Sequence, residues 1–276
     1  LGVVRAAPPK TKAEVPQTDP AEAKRRTQTR GEWRLLLKLI VGNKPLLIFL
    51  ALMVCTDMAA GIWFSLIFIF VDAYLGMGEA YSAMFLVAFS LSLLSIPLWG
   101  KLAVGLGKKS TLCLSLVITL VSYACTGLLQ PGQTSVAILL AFKSAQSIGM
   151  AGQMILMPAM LSEIIDYATW KHRSDRAATY YAFYTLCFKA SAAIAAALGL
   201  AIAGWYGFDA SATHHSESSV YGLTLAIVWI PSLVICLALV WLWLCPINAR
   251  RHAAIRRALD RRQARQTGCA LPPLNS

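Results

Sequence analysis

Charged residues are scarce in this 276-residue chain: they make up 14% of it, whereas hydrophobic residues make up 57%. Soluble domains carry about 25% charged residues, so this composition excludes an ordinary soluble globular protein. Most of the charges lie outside the long apolar runs, which carry very few of them. The chain therefore has the composition of an integral membrane protein.

The sequence patterns of enzymes and metal sites are also lacking. The seven cysteines form no C-x-x-C pair, and the sequence shows neither a phosphate-binding loop nor a nucleophile–base arrangement. Six of the cysteines lie in or at the end of apolar runs, where we interpret them as small buried hydrophobic residues. We therefore predict that the protein is not an enzyme and that it binds no cofactor and no metal.

Six apolar runs are long enough to cross a membrane as helices. Each has roughly the ~20 residues that a hydrocarbon core of ~30 Å requires. The runs cover residues 46–71, 81–99, 111–129, 136–160, 178–203 and 220–244. The sequence therefore predicts an all-α polytopic membrane protein with six transmembrane helices.

Two basic segments flank the predicted bundle, which covers residues 44–245. Residues 1–43 are rich in Pro, Lys, Arg, Thr and Ala, which predicts a flexible cytoplasmic linker, with residues 32–43 as a possible surface helix. Residues 246–276 predict a basic cytoplasmic tail, either an interfacial helix or a solvated segment. Residues 1–32 show no signal peptide, and the chain resembles a piece of something longer.

Basic residues alternate between the connections, and this alternation predicts the orientation. The second connection carries Lys101, Lys108 and Lys109, and the fourth carries a similar group (Lys171, Arg173 and Arg176), whereas the first, third and fifth carry neither Lys nor Arg. Cytoplasmic loops have an excess of Lys and Arg. We therefore predict that both termini and the even connections lie in the cytoplasm, with the bundle in the cell (inner) membrane.

The net charge of +12 does not by itself indicate nucleic-acid binding. Of the 25 Lys and Arg residues, ten lie in residues 1–44 and seven in residues 246–276, next to the predicted membrane surface. There they orient the bundle and attract anionic lipid head groups. Membrane lipid is therefore the predicted partner of these segments, and nucleic acid is not.

Three ionisable residues lie deep in the apolar runs: Asp57, Lys143 and Lys189. A charge at the centre of a membrane helix costs about 2.5–3.5 kcal/mol, so it usually faces a partner or a water-filled cavity. At ~1.5 Å per residue, Asp57 and Lys189 are predicted to lie at the same depth. They either form an ion pair or line one cavity together.

Polar residues recur at helical spacing beside these charges. Asp57 heads one such stripe, and the other two consist of Tyr181, Thr185 and Lys189, and of Lys143, Gln146 and Gln153. Three polar stripes predict a common aqueous cavity, and hydrogen bonding between helices is the alternative.

A fourth stripe has only small side chains: Ser191, Ala195, Gly199 and Ala203. We expect this stripe to pack closely against a neighbouring helix.

Residues 160–189, MLSEIIDYATWKHRSDRAATYYAFYTLCFK, resemble a family signature. This segment is similar to the one between the tenth and eleventh helices of glycoside–pentoside–hexuronide:cation symporters, the melibiose-permease-like family of the major facilitator superfamily. Asp166 and Tyr167 match its acidic–aromatic pair, and Tyr181 and Lys189 match the Tyr and the deep Lys. Glu163 stands where the family has Asp, and Arg176 is followed by Ala177 and Ala178 where the family often has Arg-x-Glu-Gly.

A second segment, residues 100–109, resembles the superfamily's G-x-L-x-D-R-x-G-R-K loop. Gly100, Leu102, Gly107 and the basic pair match, while Val104 and Gly105 replace the Asp and Arg of that pattern. Residues 204–208, GWYGF, are similar to the end of the family's eleventh helix. The resemblance covers about residues 35–245, which it identifies as helices seven to twelve.

The resemblance implies the C-terminal half-bundle of a transporter for a sugar or related solute. It implies cation symport by alternating access, with the Na⁺ or H⁺ site in an N-terminal half that acts as partner. Substrate-cavity candidates are Lys189, Tyr181, Thr185, Asp57, Lys143, Gln146 and Gln153. Candidates for a cytoplasmic gating cluster are Glu163, Asp166, Tyr167, Arg173, Arg176, Lys108 and Lys109.

Two other functions remain open at the level of sequence. The chain could be a truncated or half-size six-helix membrane protein that does not transport by itself and acts as a scaffold. It could also be a half-size transporter that forms a homodimer. If the chain is the C-terminal half of a longer transporter, six more helices are encoded upstream of Leu1. The two alternatives expect no such helices there.

Overall fold

The computed structural model describes residues 42–172, 177–209 and 216–245, and all its regular elements are helices. Six of them are long and apolar enough to cross a membrane. They are α1 (Lys44–Tyr74), α2 (Gly78–Gly105), α3 (Lys108–Thr126), α4 (Val136–His172), α5 (Ala177–Trp205) and α6 (Glu217–Leu244). The predicted all-α fold with six membrane helices is confirmed. Residues 1–41 and 246–276, and with them most of the predicted linker and tail, lie outside the described residues.

Each predicted apolar run corresponds to one helix, but several helices extend beyond the run. The fourth run was predicted to end at residue 160, whereas α4 continues to His172. This extension carries the charged and aromatic residues of the signature segment, which the hydropathy of the run did not include. Consequently, Glu163 and Asp166 lie on a helix rather than in a loop.

Helix boundaries follow local sequence signals. Pro45 lies in the first turn of α1, where its missing N–H has no helical partner to lose. Gly107 separates α2 from α3 with φ +85°, a conformation that glycine adopts without steric cost. Ser216 caps α6, because its side chain accepts a hydrogen bond from the backbone N–H of Ser219 at 3.3 Å.

Two helices contain a π-helical turn. In α1 this turn is the last one, Phe70–Tyr74, and in α6 it covers Leu225–Trp229 and ends two residues before Pro231. A proline in a helix leaves a carbonyl without its usual donor, and a local π turn is one way to accommodate this.

Small residues bring α1 and α5 close together. A Cβ atom placed on Gly61 of α1 would lie 2.7 Å from the Cβ of Ala195 on α5. One on Gly199 would lie 2.9 Å from the Oγ of Ser65. All four residues of the small-residue stripe on α5 are buried: Ser191, Ala195, Gly199 and Ala203. The predicted close packing of this stripe is therefore confirmed, and its partner is α1.

Glycines of α4 allow α2 and α3 to approach it in the same way. A Cβ atom on Gly149 would lie 2.5 Å from the Oγ1 of Thr119, and one on Gly152 would lie 2.8 Å from the Trp99 ring. Trp99 also donates a hydrogen bond through Nε1 to the backbone oxygen of Ile148 at 2.9 Å. The bundle is thus organised around two packed groups, α1 with α5 and α6, and α4 with α2 and α3.

Large apolar side chains are abundant on the outer surface of the bundle. Val104 is 89% exposed, Trp243 is 78% exposed and Leu94 is 74% exposed. In water such a surface would drive association, whereas in a bilayer the lipid tails solvate it. The exposed apolar surface agrees with the membrane assignment that hydropathy gave.

Candidate functional site

A cavity of about 510 Å³ lies between α1, α4 and α5. Its polar lining comes from Thr56, Asp57, Ser65, Gln153 and Tyr184. Its apolar lining is mainly aromatic and thioether side chains, with small residues of α1 and α5 between them (Ala60, Gly61, Phe64, Met150, Met154, Met157, Phe188, Ala192 and Ala196). A cavity of this size and composition can hold a small organic solute.

Among the described residues that line this cavity, Asp57 alone has an ionisable carboxyl group. It lies on α1, thirteen residues after Lys44 and seventeen before Tyr74, and thus close to the middle of the span. Its Oδ2 atom is buried and has no hydrogen-bond partner in the part of the chain that the structure describes. The neighbouring Thr56 does not provide one, because its hydroxyl donates to the Leu52 carbonyl at 2.9 Å.

Gln153 brings an amide group to the α4 side of the cavity. Its Nε2 donates a hydrogen bond to Thr119 Oγ1 at 2.8 Å, and the residue is buried. This bond joins α4 to α3 and fixes the orientation of the amide. Gln153 therefore combines the two roles that the sequence left open, because it lines the cavity and also bonds between helices.

Lys143 and Gln146 lie in a different environment, outside the lining of the large cavity. The Nζ atom of Lys143 lies 4.4 Å from the ring centroid of Trp63, 5.2 Å from that of Phe64 and 5.5 Å from that of Phe85. Lys143 is 5% exposed, and its Nζ lies 3.4 Å from Gln146 Oε1. Three aromatic rings thus surround this ammonium group, and Lys143 and Asp57 do not line one common cavity in this structure.

Helix α5 presents a different stripe to the cavity from the one that the sequence analysis chose. Tyr184, Phe188, Ala192 and Ala196 form this part of the lining, at intervals of four residues. The predicted residues Tyr181, Thr185 and Lys189 are exposed on the adjoining face of the helix. Asp57 and Lys189 form no ion pair in this structure: Asp57 belongs to the cavity lining, and the lysine lies outside it.

The second group of candidates lies at the end of the bundle where α2 meets α3. Lys108 Nζ forms an ion pair with Glu163 Oε1 at 2.8 Å and donates to the carbonyl of Ala159 at 3.2 Å. Glu163 is buried by this contact. The structure thus brings the N-terminus of α3 to the C-terminal third of α4.

Other members of the cluster have separate contacts. Lys109 Nζ donates to the backbone oxygens of Trp243 and Cys245, at 3.0 Å and 2.7 Å. It therefore caps the C-terminal end of α6, a role that the sequence analysis missed. Tyr167 packs on Trp170 with ring centroids 6.2 Å apart, and Asp166 is half-buried on the same helix. Arg173 and Arg176 lie outside the described residues.

Comparison with known proteins agrees with this architecture. Residues 9–249 match the model of a family described as MFS/sugar transport protein. An uncharacterized symporter of Synechocystis sp. is 25% identical over 237 residues, which are 82% of this chain and 42% of that protein. The uncharacterized symporter YjmB of Bacillus subtilis is 24% identical over 221 residues, 80% of this chain and 47% of that protein. The chain spans less than half the length of these curated relatives.

Proposed function

Because the chain belongs to the MFS/sugar transport protein family, we propose that it forms one six-helix half of a secondary active transporter. The observation that carries this proposal is the cavity of about 510 Å³ beside the middle of α1. Alternating access needs a solute site near the membrane midplane, between two halves that move relative to each other. The cavity supports such a solute site, and we propose that six more helices form the second of the two moving halves.

The exposed face of α5 supports the proposal that a second half packs against this one. Lys189 lies twelve residues after the start of α5 and sixteen before its end, and it is exposed. An ammonium group facing lipid at that depth would cost about 2.5–3.5 kcal/mol. We therefore assign Tyr181, Thr185 and Lys189 to the surface that faces the N-terminal half. In that position Lys189 would reach the solute or the coupling carboxylates of the partner half.

The chemistry of the lining favours a sugar or related solute. Tyr184 and Phe188 offer aromatic faces to the C–H surface of a sugar ring. Asp57 and Gln153 offer acceptors and a donor for hydroxyl groups. A cation, Na⁺ or H⁺, would supply the driving force from the N-terminal half, as in the symporter family that the sequence resembles.

The charge cluster is proposed to lie on the cytoplasmic side and to respond to the transport cycle. The Lys108–Glu163 ion pair holds α3 to α4 in this structure. With the cytoplasmic side so assigned, a cysteine probe at position 174 would react from the cytoplasm, and probes at Gly132 and Ser216 from outside. Reaction of the probe at 174 from outside would overturn this orientation and with it the cytoplasmic position of both termini.

Solute protection of cysteine probes tests the proposed site. Ala196→Cys places a thiol on the α5 lining, whereas Leu198→Cys places one on an exposed face away from it. In the transporter that contains both halves, a panel of mono- and disaccharides should include one that slows maleimide reaction at position 196 and leaves position 198 unchanged. If every sugar in the panel leaves both rates unchanged, this cavity is not a sugar site.

The length of the chain also favours the alternative of a half-size protein. The chain spans 42% and 47% of its two relatives, which is the length expected of a half-size protein as well as of a fragment. Two copies could then form a homodimeric transporter, or a single bundle could serve as a scaffold without transport. Transport by the isolated chain distinguishes these alternatives from the proposed half.

A further inference from the structure

Asp57 combines two features that are rarely found together in a membrane helix. Its carboxyl group lines a cavity large enough for a solute, yet one of its oxygens is buried without a hydrogen-bond partner. Buried polar atoms in membrane helices are normally paired, because lipid and protein interiors offer no water to replace the missing bond. Among the described residues that oxygen has no partner, so the buried carboxyl group needs either a proton or a counter-charge.

Within the described parts of the helices around α1, the charged residues do not provide that counter-charge. On α5, Lys189 lies outside the cavity lining, and the nearest titratable residue in the lining is Tyr184. On α4, Lys143 is surrounded by three aromatic rings, and Glu163 is paired with Lys108. On α6, Glu217 lies in the first turn of the helix.

Apart from Thr56, Ser65, Gln153 and Tyr184, the cavity lining around Asp57 is apolar. Phe64, Met150 and Met157 contribute apolar surface to the same cavity. An ionised carboxylate in such surroundings is unfavourable without a counter-charge, whereas the neutral acid has no net charge to stabilise. The neutral acid also gains an O–H group, which can donate a hydrogen bond to a hydroxyl of the solute.

We propose that Asp57 is a proton-binding site of this half, protonated while the cavity is closed to water and ionised when water fills it. The proton comes from water on the side to which the cavity is open, and it leaves to water on the other side after the conformational change. The proton bound on closing is released on opening, so the carboxyl group is regenerated in each cycle. The coupling to transport depends on the proposed function, whereas the proton site does not.

This proposal separates Asp57 from the coupling site expected in the N-terminal half. The transporter would then respond to pH through a residue of α1 even where another cation, bound elsewhere, drives solute uptake. The competing explanation is that a cation of the N-terminal half pairs with an ionised Asp57. The two explanations differ in the protonation state of the carboxyl group at neutral pH.

Labelling with N,N′-dicyclohexylcarbodiimide measures that state directly. This apolar reagent reacts with protonated carboxyl groups and leaves a stable adduct that peptide mass spectrometry locates. In the full chain, purified in lipid nanodiscs at pH 7, we expect the adduct on Asp57 and not on Glu79, an exposed residue in the first turn of α2. Labelling of Asp57 should fall as the pH is raised, because the reactive form is the acid.

Variants and the transport assay complete the test. Asp57→Asn should remove the adduct, while Glu79→Gln should leave it unchanged. In the complete transporter, Asp57→Asn should make solute uptake at least several-fold less dependent on external pH. Absence of the adduct from wild-type Asp57 at pH 7 would overturn the proton site. An adduct together with no transport by the complete protein would leave the proton site standing and overturn the proposed function.

Discussion

The Nζ atom of Lys143 lies 4.4 Å from the centroid of the Trp63 ring, and this contact joins α4 to α1 inside the bundle. The opposite helix α2 adds Phe85 at 5.5 Å. Phe64, the third ring near this ammonium group, also lines the large cavity. The buried lysine therefore stabilises a side chain of the candidate site without lining the cavity itself.

Replacing Lys143 should destabilise the bundle through this contact. Desolvated cation–π pairs contribute about 2 kcal/mol, so a double-mutant cycle of Lys143→Met and Trp63→Leu should give a coupling free energy near that value. The measurement is the free energy of unfolding of the purified chain in mixed detergent micelles. Lys143→Arg is the matched control, because it retains a cation and should lose less stability than Lys143→Met. A coupling free energy of zero would show that the ring contact contributes nothing.

The separation of Asp57 from Lys189 changes the expected outcome of a second double mutant. If the two charges formed a buried pair, removing both would restore much of the stability that either single change lost. In this structure they are not paired, so the effects of Asp57→Ala and Lys189→Ala on unfolding of the chain should add. Recovery of stability in the double mutant would contradict the arrangement seen here.

Close packing of α1 on α5 predicts a strong effect of one methyl group. A Cβ atom on Gly61 would meet the Ala195 Cβ at 2.7 Å, so the two helices must separate to accept it. Such overpacking typically costs about 1–3 kcal/mol, and Gly61→Ala should lower the unfolding free energy by an amount in that range. Gly100→Ala is the control, because a Cβ there meets nothing within 4 Å. Equal effects of both changes would rule out the close contact.

The Lys108–Glu163 ion pair gives a prediction for the charge cluster. Glu163 is nearly buried, whereas Lys108 is partly exposed. Exposed ion pairs contribute ~0–1 kcal/mol to stability, and breaking a buried pair costs ~3–5 kcal/mol. We expect the contribution of this pair to lie between these two ranges. Lys108→Met should therefore lower the unfolding free energy, and adding Glu163→Gln should recover part of the loss. Lys101→Met serves as control, because Lys101 is exposed on α2. Additive losses from Lys108→Met and Glu163→Gln would contradict the pairing.

The fold was predictable from the sequence because each apolar run is long and because six such runs all indicate membrane helices. Twenty or more apolar residues exclude most alternatives to a membrane helix, and the small-residue spacing around Ala195 identified a packing face of α5. The extension of α4 to His172 was not predictable from hydropathy, because its last turns carry charged and aromatic residues. Helical hydrogen bonds tolerate such residues wherever the helix leaves the hydrocarbon core.

The candidate site was predicted only in part, because helical spacing shows which residues share a face but not where that face points. Asp57 and Gln153 were chosen for their polarity, and both line the cavity. Tyr184 and Phe188 were not chosen as cavity residues, because the adjoining stripe that ends at Lys189 is more polar and was chosen instead. For Lys143 the sequence predicted either an aqueous cavity or hydrogen bonds between helices. Its aromatic neighbours were not predicted, because they lie on two other helices and are remote in sequence.

Solute counterflow in proteoliposomes tests the central claim that this chain is one half of a transporter. Residues 1–276 reconstituted alone should show no counterflow of any radiolabelled sugar above empty liposomes. The same chain joined to a six-helix N-terminal half encoded upstream should show it for at least one sugar. Robust counterflow by residues 1–276 alone would contradict the account and support the homodimer, and its absence from the joined protein would contradict a transport function.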